Sequence, residues 1–412
     1  MLGLVKNIDG AFEYFNDLYG EVTEQQKQRY QKTFDWFKSS FNKDSCYIAS
    51  SSGRVEVVGN HTDHQGGKVV SCAISLDKVA MFLPTDDNII RIKSEGYEDI
   101  VIDAAGDTPV KIGTSDAMVK GVVEGFKQRN YKVGGFIACC ANNVLNGAGI
   151  SSSASFECLV AKILGFLYNN DSVDAEEIAK ISQFSENVYF GKPCGLLDQT
   201  AIAFGGLRQL DFFNKDKIVV KAIDNALEDY TLILVDTGSD HANLTDEYAS
   251  IPAEMKAIAK ELGAERLADV DESVFLAKAS ELRKTVSDRA VLRAIHYYDE
   301  IKRVESLTNA LNNDDFDGFL LAVKNSGLSS YNLLQNCYVA GSKDQSVPVA
   351  LALAGKFLNG GVNRVHGGGF AGTILNVVKN ENVQAFIDGL SAFYDKKAII
   401  PLKVRKLGTT VL

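Results

Sequence analysis

The sequence predicts a mixed α/β (α+β) protein of two lobes, and three observations support this prediction. The chain has 412 residues, which is more than one domain usually holds and enough for two domains that share a cleft. Short apolar segments of β-forming residues alternate with segments whose apolar residues recur at helical spacing. Gly205 and Gly206 interrupt the pattern near the middle, so we predict one domain at residues 1–205 and another at residues 206–412.

The elements of the first domain follow from these patterns in order. Aromatic residues at helical spacing predict helices within residues 1–45. Alternating and β-branched residues predict strands from Cys46 to about Ile102, and the apolar run Gly135–Ala141 predicts another strand. Helical periodicity predicts three more helices, at Ser115–Arg129, Ala154–Asn169 and Ser172–Phe190.

The second domain is predicted to begin with a strand and to continue mainly as helices. Leu232–Asp236 is apolar and rich in β-forming residues, which predicts the strand. A helix-rich stretch is predicted from Leu244 to about Gly360, and a pair of strands is predicted on either side of the glycines at 367–369.

Composition and charge limit the classes of function. Hydrophobic residues make up 46% of the chain and charged residues 23%, which is typical of a globular protein with a sizeable core. The net charge of −10 argues against nucleic acid and anionic membranes as main partners. Seven cysteines are scattered without a CxxC pair, and Lys6 and Asp9 interrupt the apolar N-terminus. We therefore expect a cytoplasmic protein with reduced thiols, and no apolar segment long enough to cross a membrane.

The most informative segment is Asn146–Ser155, which places a Gly-x-Gly loop before three consecutive serines. It lies between a predicted strand and a predicted helix. Glycines let a backbone approach an anion closely, and the free N–H groups at a helix start favour negative charge. Serine hydroxyls at such a place can bind phosphate oxygens or Mg²⁺. The segment predicts a phosphate-binding loop, and the simpler alternative is a glycine turn followed by a serine N-cap.

Three other segments combine glycines with polar residues. Gly53–Gly67, with the sequence GRVEVVGNHTDHQGG, contains two of the chain's five histidines on either side of Asp63. A zinc site is not favoured there, because no cysteine or further histidine is close in the sequence. The other two segments are Cys194–Gln199 (CGLLDQ) and Val365–Thr373 (VHGGGFAGT).

These segments resemble the motifs of one kinase family. Gly53–Gly67 resembles the sugar-binding signature of galactokinases, usually written GRVNLIGEHTDYNGG. Val365–Thr373 is similar to the C-terminal glycine motif of the wider GHMP kinase superfamily, which includes homoserine, mevalonate and phosphomevalonate kinases. The motifs occur in the family's order, from about residue 50 to about residue 375. The resemblance implies the two-lobed GHMP kinase fold, with the active site in the cleft between the lobes.

The resemblance also implies how a nucleotide and its cation are bound. Ser153, the last serine of the loop, would bind Mg²⁺ together with Glu186, and the alternative for Glu186 is a solvated glutamate on a helix. ATP would be the phosphoryl donor, although Ser115 and Met118 stand where the family has adenine-side aromatic residues. The residues implied in nucleotide binding are Gly147, Ala148, Gly149, Ser151, Ser152, Ser153 and Gly368.

Two residues match the catalytic pair of the family. Asp198 matches the catalytic aspartate, and its predicted place in a first helical turn would help to keep the carboxylate ionised. Arg54 matches an arginine that lies beside this aspartate in the family. The alternatives are an acidic residue that only complements the helix dipole and a buried arginine that pairs with another acid.

The sugar would be bound by four residues. Asp63 would accept hydrogen bonds from two vicinal hydroxyls, and Asn60, His61 and Tyr248 would add contacts. Asn60 stands where the family has a glutamate that contacts the sugar's C6 hydroxyl, and His64 replaces a tyrosine. Because a neutral amide accepts less strongly than a carboxylate, we expect looser discrimination at C6, with 6-deoxygalactose and galacturonate accepted better than in the family.

The function implied by the resemblance is an ATP- and Mg²⁺-dependent kinase that phosphorylates the anomeric C1 hydroxyl of galactose. One alternative is a related sugar, such as an N-acetylhexosamine, a uronic acid or L-arabinose. Another is a sugar and nucleotide sensor without turnover, but the intact Ser153-Ala154 pair and Asp198 favour the enzyme. We expect a monomer or weak homo-oligomer whose partners are the sugar and ATP.

Overall fold

The fold is seen in a computed structural model that describes residues 3–145, 147, 149–215, 217–224, 227–239 and 244–412. Within these residues the strands form one sheet of eight strands and one of four, and helices pack on both. The predicted mixed α/β class is therefore confirmed. The strands are β1 Tyr47–Val58, β2 Lys68–Pro84, β3 Ile89–Ser94, β4 Ile100–Asp103, β5 Phe136–Asn142, β6 Leu207–Asp211, β7 Val219–Ala222, β8 Tyr230–Asp236, β9 Val362–Val365, β10 Thr373–Lys379, β11 Ile399–Leu402 and β12 Thr410–Val411.

The helices agree with the predicted helical segments, with one irregularity that matters for the site. The segment predicted as Ser172–Phe190 is an α-helix that continues into a π-helical turn at Ser185–Phe190. The α-helices are α1 Phe15–Tyr19, α2 Glu24–Phe41, α3 Ser115–Gln128, α4 Ser152–Tyr168, α5 Ala175–Phe184, α6 Leu197–Phe204, α7 Thr245–Glu261, α8 Glu272–Thr285, α9 Asp288–Asn312, α10 Phe316–Ser329, α11 Ser346–Ala354 and α12 Val383–Leu390. None of the helices in the described part of the chain combines the length and the hydropathy that a bilayer crossing requires.

The larger sheet is organised around the long strand β2. Its strand order is β12-β1-β2-β5-β3-β4, and β6 and β7 extend it from the first half of β2. Strand β2 pairs with β6 over Lys68–Cys72 and with β5 over Lys78–Pro84, and it pairs with β1 along most of its length. One strand therefore connects the turn after β1 with the end of β5, where the predicted phosphate loop begins.

Alternating side chains of the larger sheet form two separate cores. Ala80 and Phe82 of β2 belong to the core formed with α3, α4 and α5. Val79 and Met81 point the opposite way, into the core formed with the N-terminal helices α1 and α2. Because successive residues of a strand face opposite sides, the sheet is covered on both faces and the helix α4 is held on one of them.

The smaller sheet belongs to the second half of the chain. Its order is β11-β8-β10-β9, and every neighbouring pair is antiparallel. The connection from β9 to β10 carries the glycines at 367–369, so the predicted pair of flanking strands is confirmed. Helices α7 to α10 pack mainly on one another and place residues 330–337 beside this connection.

The predicted division at residues 205 and 206 does not coincide with a change of sheet. Strands β6 and β7 follow Gly206 but still belong to the larger sheet, and β12 at the C-terminus pairs with β1. Membership of the smaller sheet begins at Tyr230. The two-domain division stays a prediction, and the sheet topology moves its position towards residue 230 because hydrogen bonds to β2 hold residues 207–211 in the larger sheet.

Candidate active site

The predicted phosphate loop lies between the end of β5 and the start of α4. Gly147 and Gly149 have φ angles of 78° and 68°, in the left-handed region that favours glycine. Ser151 also has a left-handed φ of 62°, which is uncommon for a residue with a side chain, and it is the N-cap of α4. Ser152 and Ser153 follow in the first turn of that helix. Ala148, which was also predicted to bind the nucleotide, lies outside the described residues.

Arg54 joins this loop to the predicted catalytic aspartate. Its Nε and Nη2 atoms are each 2.7 Å from Oδ1 of Asp198. Its Nη1 donates to the carbonyl oxygen of Gly149, and its backbone N–H donates to the carbonyl of Ile150 at 3.2 Å. The side chain of Arg54 is 8% exposed, so the pair is well shielded from water. The structure therefore brings together the two residues predicted as catalytic and the loop predicted to bind phosphate.

The two carboxylate oxygens of Asp198 have different neighbours. Oδ1 accepts from Arg54, whereas Oδ2 accepts from the Ser151 hydroxyl at 2.5 Å. Since a carboxylate oxygen has two lone pairs, Oδ2 keeps the capacity to accept from a substrate hydroxyl. Burial by itself raises the pKa of Asp198, but the Arg54 charge and the Ser151 hydrogen bond outweigh it and hold the pKa below its ordinary value. The group is therefore an ionised acceptor and a weak base.

Asp63 lies beside the segment that carries Asp198. A Cβ atom added to Gly195 would collide with the carboxylate of Asp63, so only glycine allows this approach. Burial, together with the nearby charges of Asp198 and Glu56, raises the pKa of Asp63 to about 6. The predicted sugar residue and the predicted catalytic residue therefore share one acidic pocket.

Ser153 and Glu186, predicted to share a cation, are in direct contact. The Ser153 hydroxyl donates to Oε1 of Glu186 at 2.7 Å. Glu186 lies in the π-helical turn after α5 and is 1% exposed, and its Oε2 accepts from the Gln199 amide at 2.7 Å. Two oxygen ligands that converge in this way fit Mg²⁺, which is usually bound by few protein oxygens together with phosphate and water.

The glycine connection between β9 and β10 closes the site from the other lobe. A Cβ atom on Gly367 would lie 3.6 Å from the carbonyl oxygen of Gly149, so the two glycine loops are neighbours. The Gly368 carbonyl is 3.0 Å from Nε2 of His61, and a Cβ atom on Gly368 would lie 2.5 Å from the ring of Tyr248. Gly368 therefore faces two residues of the predicted sugar pocket, whereas Gly367 lies nearer the predicted phosphate loop.

Two sequence signatures in this chain match known families. The family model "GHMP kinases N terminal domain" matches residues 117–206, which include the serine loop and Asp198. The model "Galactokinase galactose-binding signature" matches residues 35–84, which include Arg54 and Asp63. The chain is therefore similar to galactokinases and other GHMP kinases in these two segments. The predicted resemblance is confirmed, and the contacts described above join residues of both matched segments.

Relatives of the galactokinase family match along most of the chain. A galactokinase of Clostridium acetobutylicum is 28% identical over 368 residues, which cover 88% of this chain and 92% of that protein. A galactokinase of Bacillus subtilis is 28% identical over 370 residues, with the same coverage. In three dimensions, Lactococcus lactis galactokinase in complex with galactose has a TM-score of 0.76 at 22% identity and covers 98% of this chain and 100% of its own. A mevalonate kinase structure has a TM-score of 0.61 at 15% identity, covering 87% of this chain and 99% of its own, which confirms the superfamily fold.

Asn60 has a different environment from the one expected for a galactokinase-family residue that reads the sugar. Its amide nitrogen donates to Oε1 of Glu56 at 2.9 Å and to the Gly367 carbonyl at 2.8 Å. Its amide oxygen accepts from Asn336 at 2.8 Å and from Ser330 at 3.3 Å. The side chain is 1% exposed and its hydrogen-bonding capacity is filled by described residues. In this structure Asn60 therefore connects Glu56 with Gly367 and Asn336, and its contact with the C6 hydroxyl stays a prediction.

Glu56 and Asn60 are exchanged relative to the galactokinase signature. In the galactokinase signature an asparagine occupies the position of Glu56 and a glutamate the position of Asn60, so the carboxylate and the amide have exchanged places. The exchanged pair remains in contact, and Arg364 neutralises Glu56 through an ion pair of 3.1 Å in which the arginine side chain is 0% exposed. The exchanged positions therefore still bring one carboxylate and one amide into contact.

Sequence reasoning missed several residues around this candidate site. Lys192 contacts Glu186 through its ammonium group, and Arg364 and Asn336 hold the Glu56–Asn60 pair. Glu157, one turn after Ser153, is 0% exposed, and neither of its carboxyl oxygens has a hydrogen-bond partner among the described residues. Burial and the Glu186 carboxylate raise the pKa of Glu157 well above its ordinary value. The sequence signal that could have identified Lys192 and Arg364 is their position, since each lies next to one of the motifs.

His61 and His64 complete the sugar-side turn. Their rings are 6.0 Å apart, and burial lowers the pKa of His61 to about 4 and that of His64 to about 3, so both are neutral at physiological pH. Tyr248 donates to the Gly369 carbonyl at 2.8 Å and thereby adjoins the same connection. Among the described residues, no group of three or more His, Cys, Asp or Glu side chains is arranged to hold a metal ion.

Proposed function

We propose that this chain transfers the terminal phosphoryl group of ATP to the anomeric C1 hydroxyl of galactose. The observation that supports this most directly is the arrangement around Asp198. Asp63 of the galactose-binding signature approaches Gly195, three residues before Asp198, and Arg54 links Asp198 to the carbonyl of Gly149. A sugar bound by Asp63 would therefore have a hydroxyl between the Asp198 carboxylate and the predicted phosphate loop. Phosphoryl transfer to an alcohol requires such an arrangement.

Asp198 would orient the attacking hydroxyl through Oδ2. With a pKa below its ordinary value, this carboxylate is poorly suited to take the proton completely before the bond to phosphorus forms. Arg54, already fixed by Oδ1, would limit the movement of Asp198 and add positive charge near the transferring group. The contribution of the pair is therefore positioning and electrostatic stabilisation, which dominate phosphoryl transfer in general.

Ser153 and Glu186 would hold Mg²⁺, and the loop would supply backbone N–H groups to the phosphates. When bound, the cation neutralises phosphate charge and helps to align the terminal phosphate. The proposed nucleotide residues remain Gly147, Ala148, Gly149, Ser151, Ser152, Ser153 and Gly368, and the position of the serines at the N-terminus of α4 supports their role. A cytoplasmic location and a monomeric or weakly associated state stay predictions from the sequence.

The identity of the sugar substrate is tested with a panel of free sugars, ATP and Mg²⁺. ³¹P NMR of the product then locates the phosphate. We expect galactose to give a C1 phosphate. Galacturonate should be a poor substrate, because Asp63 shares an acidic pocket with Asp198 and would repel an anion. The sequence alone predicted the opposite, and this assay decides between the two. Phosphorylation of another sugar in preference to galactose would correct the substrate, and binding without turnover of any sugar would favour a sensor.

The shared cation site is tested with Ser153→Ala and Glu186→Gln. Each change should raise the Mg²⁺ concentration needed for half-maximal activity, because each removes one oxygen ligand. The double variant should be less impaired than the sum of the two effects, since both residues act on one ion. Ser39→Ala, at an exposed position of α2 away from the loop, is the control and should leave the Mg²⁺ dependence close to that of the wild type. Additive effects with an unchanged Mg²⁺ requirement would show that the two residues do not share an ion.

A further inference from the structure

Lys192 supplies a cation at the place where Glu186 is proposed to bind Mg²⁺. Its Nζ atom is 3.1 Å from Oε1 of Glu186, the same oxygen that accepts from the Ser153 hydroxyl. Among the described residues, Lys192 forms the ion pair with Glu186 and Arg54 forms the ion pair with Asp198. These two side chains therefore supply the positive charges in contact with the proposed metal ligand and the proposed catalytic carboxylate.

The two cations differ in their freedom to move. The Arg54 side chain is 8% exposed and is fixed by Asp198 and by the carbonyl of Gly149. The Lys192 side chain is 61% exposed, although its backbone N–H is fixed to the Glu186 carbonyl at 3.0 Å. Its four-carbon chain can therefore move its ammonium group while the backbone stays in place.

Glu186 cannot keep all its present partners when it binds a divalent cation. Its Oε1 accepts from Ser153 and Lys192, and its Oε2 accepts from Gln199 and faces the Cys194 thiol. A second positive ion at Oε1 would be repelled by the ammonium group, which is the exposed and movable partner. The ammonium would then lie next to the phosphates of a bound nucleotide. Residues 143–155, which include the predicted phosphate loop, contain no lysine or arginine of their own.

We propose that Lys192 exchanges partners during nucleotide binding: its ammonium group pairs with Glu186 in the free protein and with a phosphate oxygen of the nucleotide in the complex. The inference depends on the proposed function for the identity of the nucleotide. Before the nucleotide binds, the ammonium group of Lys192 would supply the positive charge beside Glu186. After the nucleotide binds, the same group would contact a phosphate. The charge of Lys192 also reaches Asp198, whose pKa it helps to lower, so the cation lies within the same site.

The test compares Lys192→Met, which removes the charge, with Lys192→Arg, which keeps it. Mn²⁺ binding to the nucleotide-free protein is measured by electron paramagnetic resonance, and binding of ADP and of the β,γ-imido analogue of ATP is measured by calorimetry. Lys192→Met should bind Mn²⁺ several-fold more tightly, because a competing cation is gone. It should bind the triphosphate analogue about 10- to 100-fold more weakly, the usual effect of losing a hydrogen bond to a charged group. Lys192→Arg should remain near the wild type in both measurements.

Lys32→Met is the matched control, since Lys32 is an exposed lysine of α2 on the opposite face of the larger sheet. It should change neither affinity, which separates a local effect from the change in net charge. Unchanged Mn²⁺ and nucleotide affinities in Lys192→Met would overturn the proposal and leave a structural ion pair. Both affinities falling together would also overturn it, because partner exchange requires opposite changes. These binding measurements do not depend on which sugar is phosphorylated, so failure of the proposed kinase activity would be seen separately in the sugar panel.

Discussion

Asp198→Asn is expected to lower kcat by about 10²- to 10⁴-fold while the protein stays folded. Asparagine has nearly the shape of aspartate and can still accept from Arg54, but it removes the negative charge that would orient the sugar hydroxyl. Galactose binding should change much less, because Asp63 is proposed to provide the main hydroxyl contacts. Steady-state kinetics, calorimetry with galactose and a thermal unfolding curve together measure these three properties.

Ser151→Ala is the control for this prediction. It removes the donor to Oδ2 of Asp198 but keeps the charge and the contact with Arg54. We expect a smaller loss of kcat than in Asp198→Asn, since the carboxylate remains ionised and can still accept from the substrate. A folded Asp198→Asn protein with turnover like that of the wild type would remove Asp198 from the proposed mechanism.

The second large effect is expected from reversing the exchange between Glu56 and Asn60. Asn60→Glu would place a second carboxylate beside Glu56, because the Asn60 amide nitrogen is now 2.9 Å from Oε1 of Glu56. The substitution would also remove the donor to the Gly367 carbonyl. Glu56→Asn would leave Arg364 buried without its acid, a change that costs about 3–5 kcal/mol for typical buried pairs. Each single variant should therefore be less stable and have a lower kcat/KM, because one loses the bond to the glycine connection and the other leaves Arg364 unpaired.

The double variant Glu56→Asn/Asn60→Glu distinguishes a paired exchange from two independent changes. It contains one carboxylate and one amide again, within reach of Arg364 and of the Gly367 carbonyl. We expect it to recover most of the stability, with a coupling free energy near the upper end of the usual range of about 0.5–3 kcal/mol. Chemical denaturation of the four proteins measures this coupling directly. Additive losses would mean that the two positions do not compensate each other.

The sequence by itself determined the elements and the local motifs of this protein. The helices α3 and α4, the strand β5 and the strands on either side of the glycines at 367–369 lie where their periodicity placed them. This is expected, because the spacing of apolar residues and the position of glycines act over a few residues. The contacts Arg54–Asp198 and Ser153–Glu186 were anticipated as well, because the family motifs named the residues even though they are far apart in the chain.

Only the tertiary structure decided what Asn60 and Lys192 contact. Asn60 bonds to residues 276 and 307 positions away, and no local pattern could show that its amide is used inside the protein. The place of β6 in the larger sheet had the same origin, since hydrogen bonds to β2 hold it there. Lys192 is only six residues from Glu186, but the π-helical turn and the left-handed Gly191 bring its ammonium group back to that carboxylate. In each case the partner of a side chain or strand is fixed only when folding brings distant groups together. The sequence specifies which chemical groups are available for these contacts.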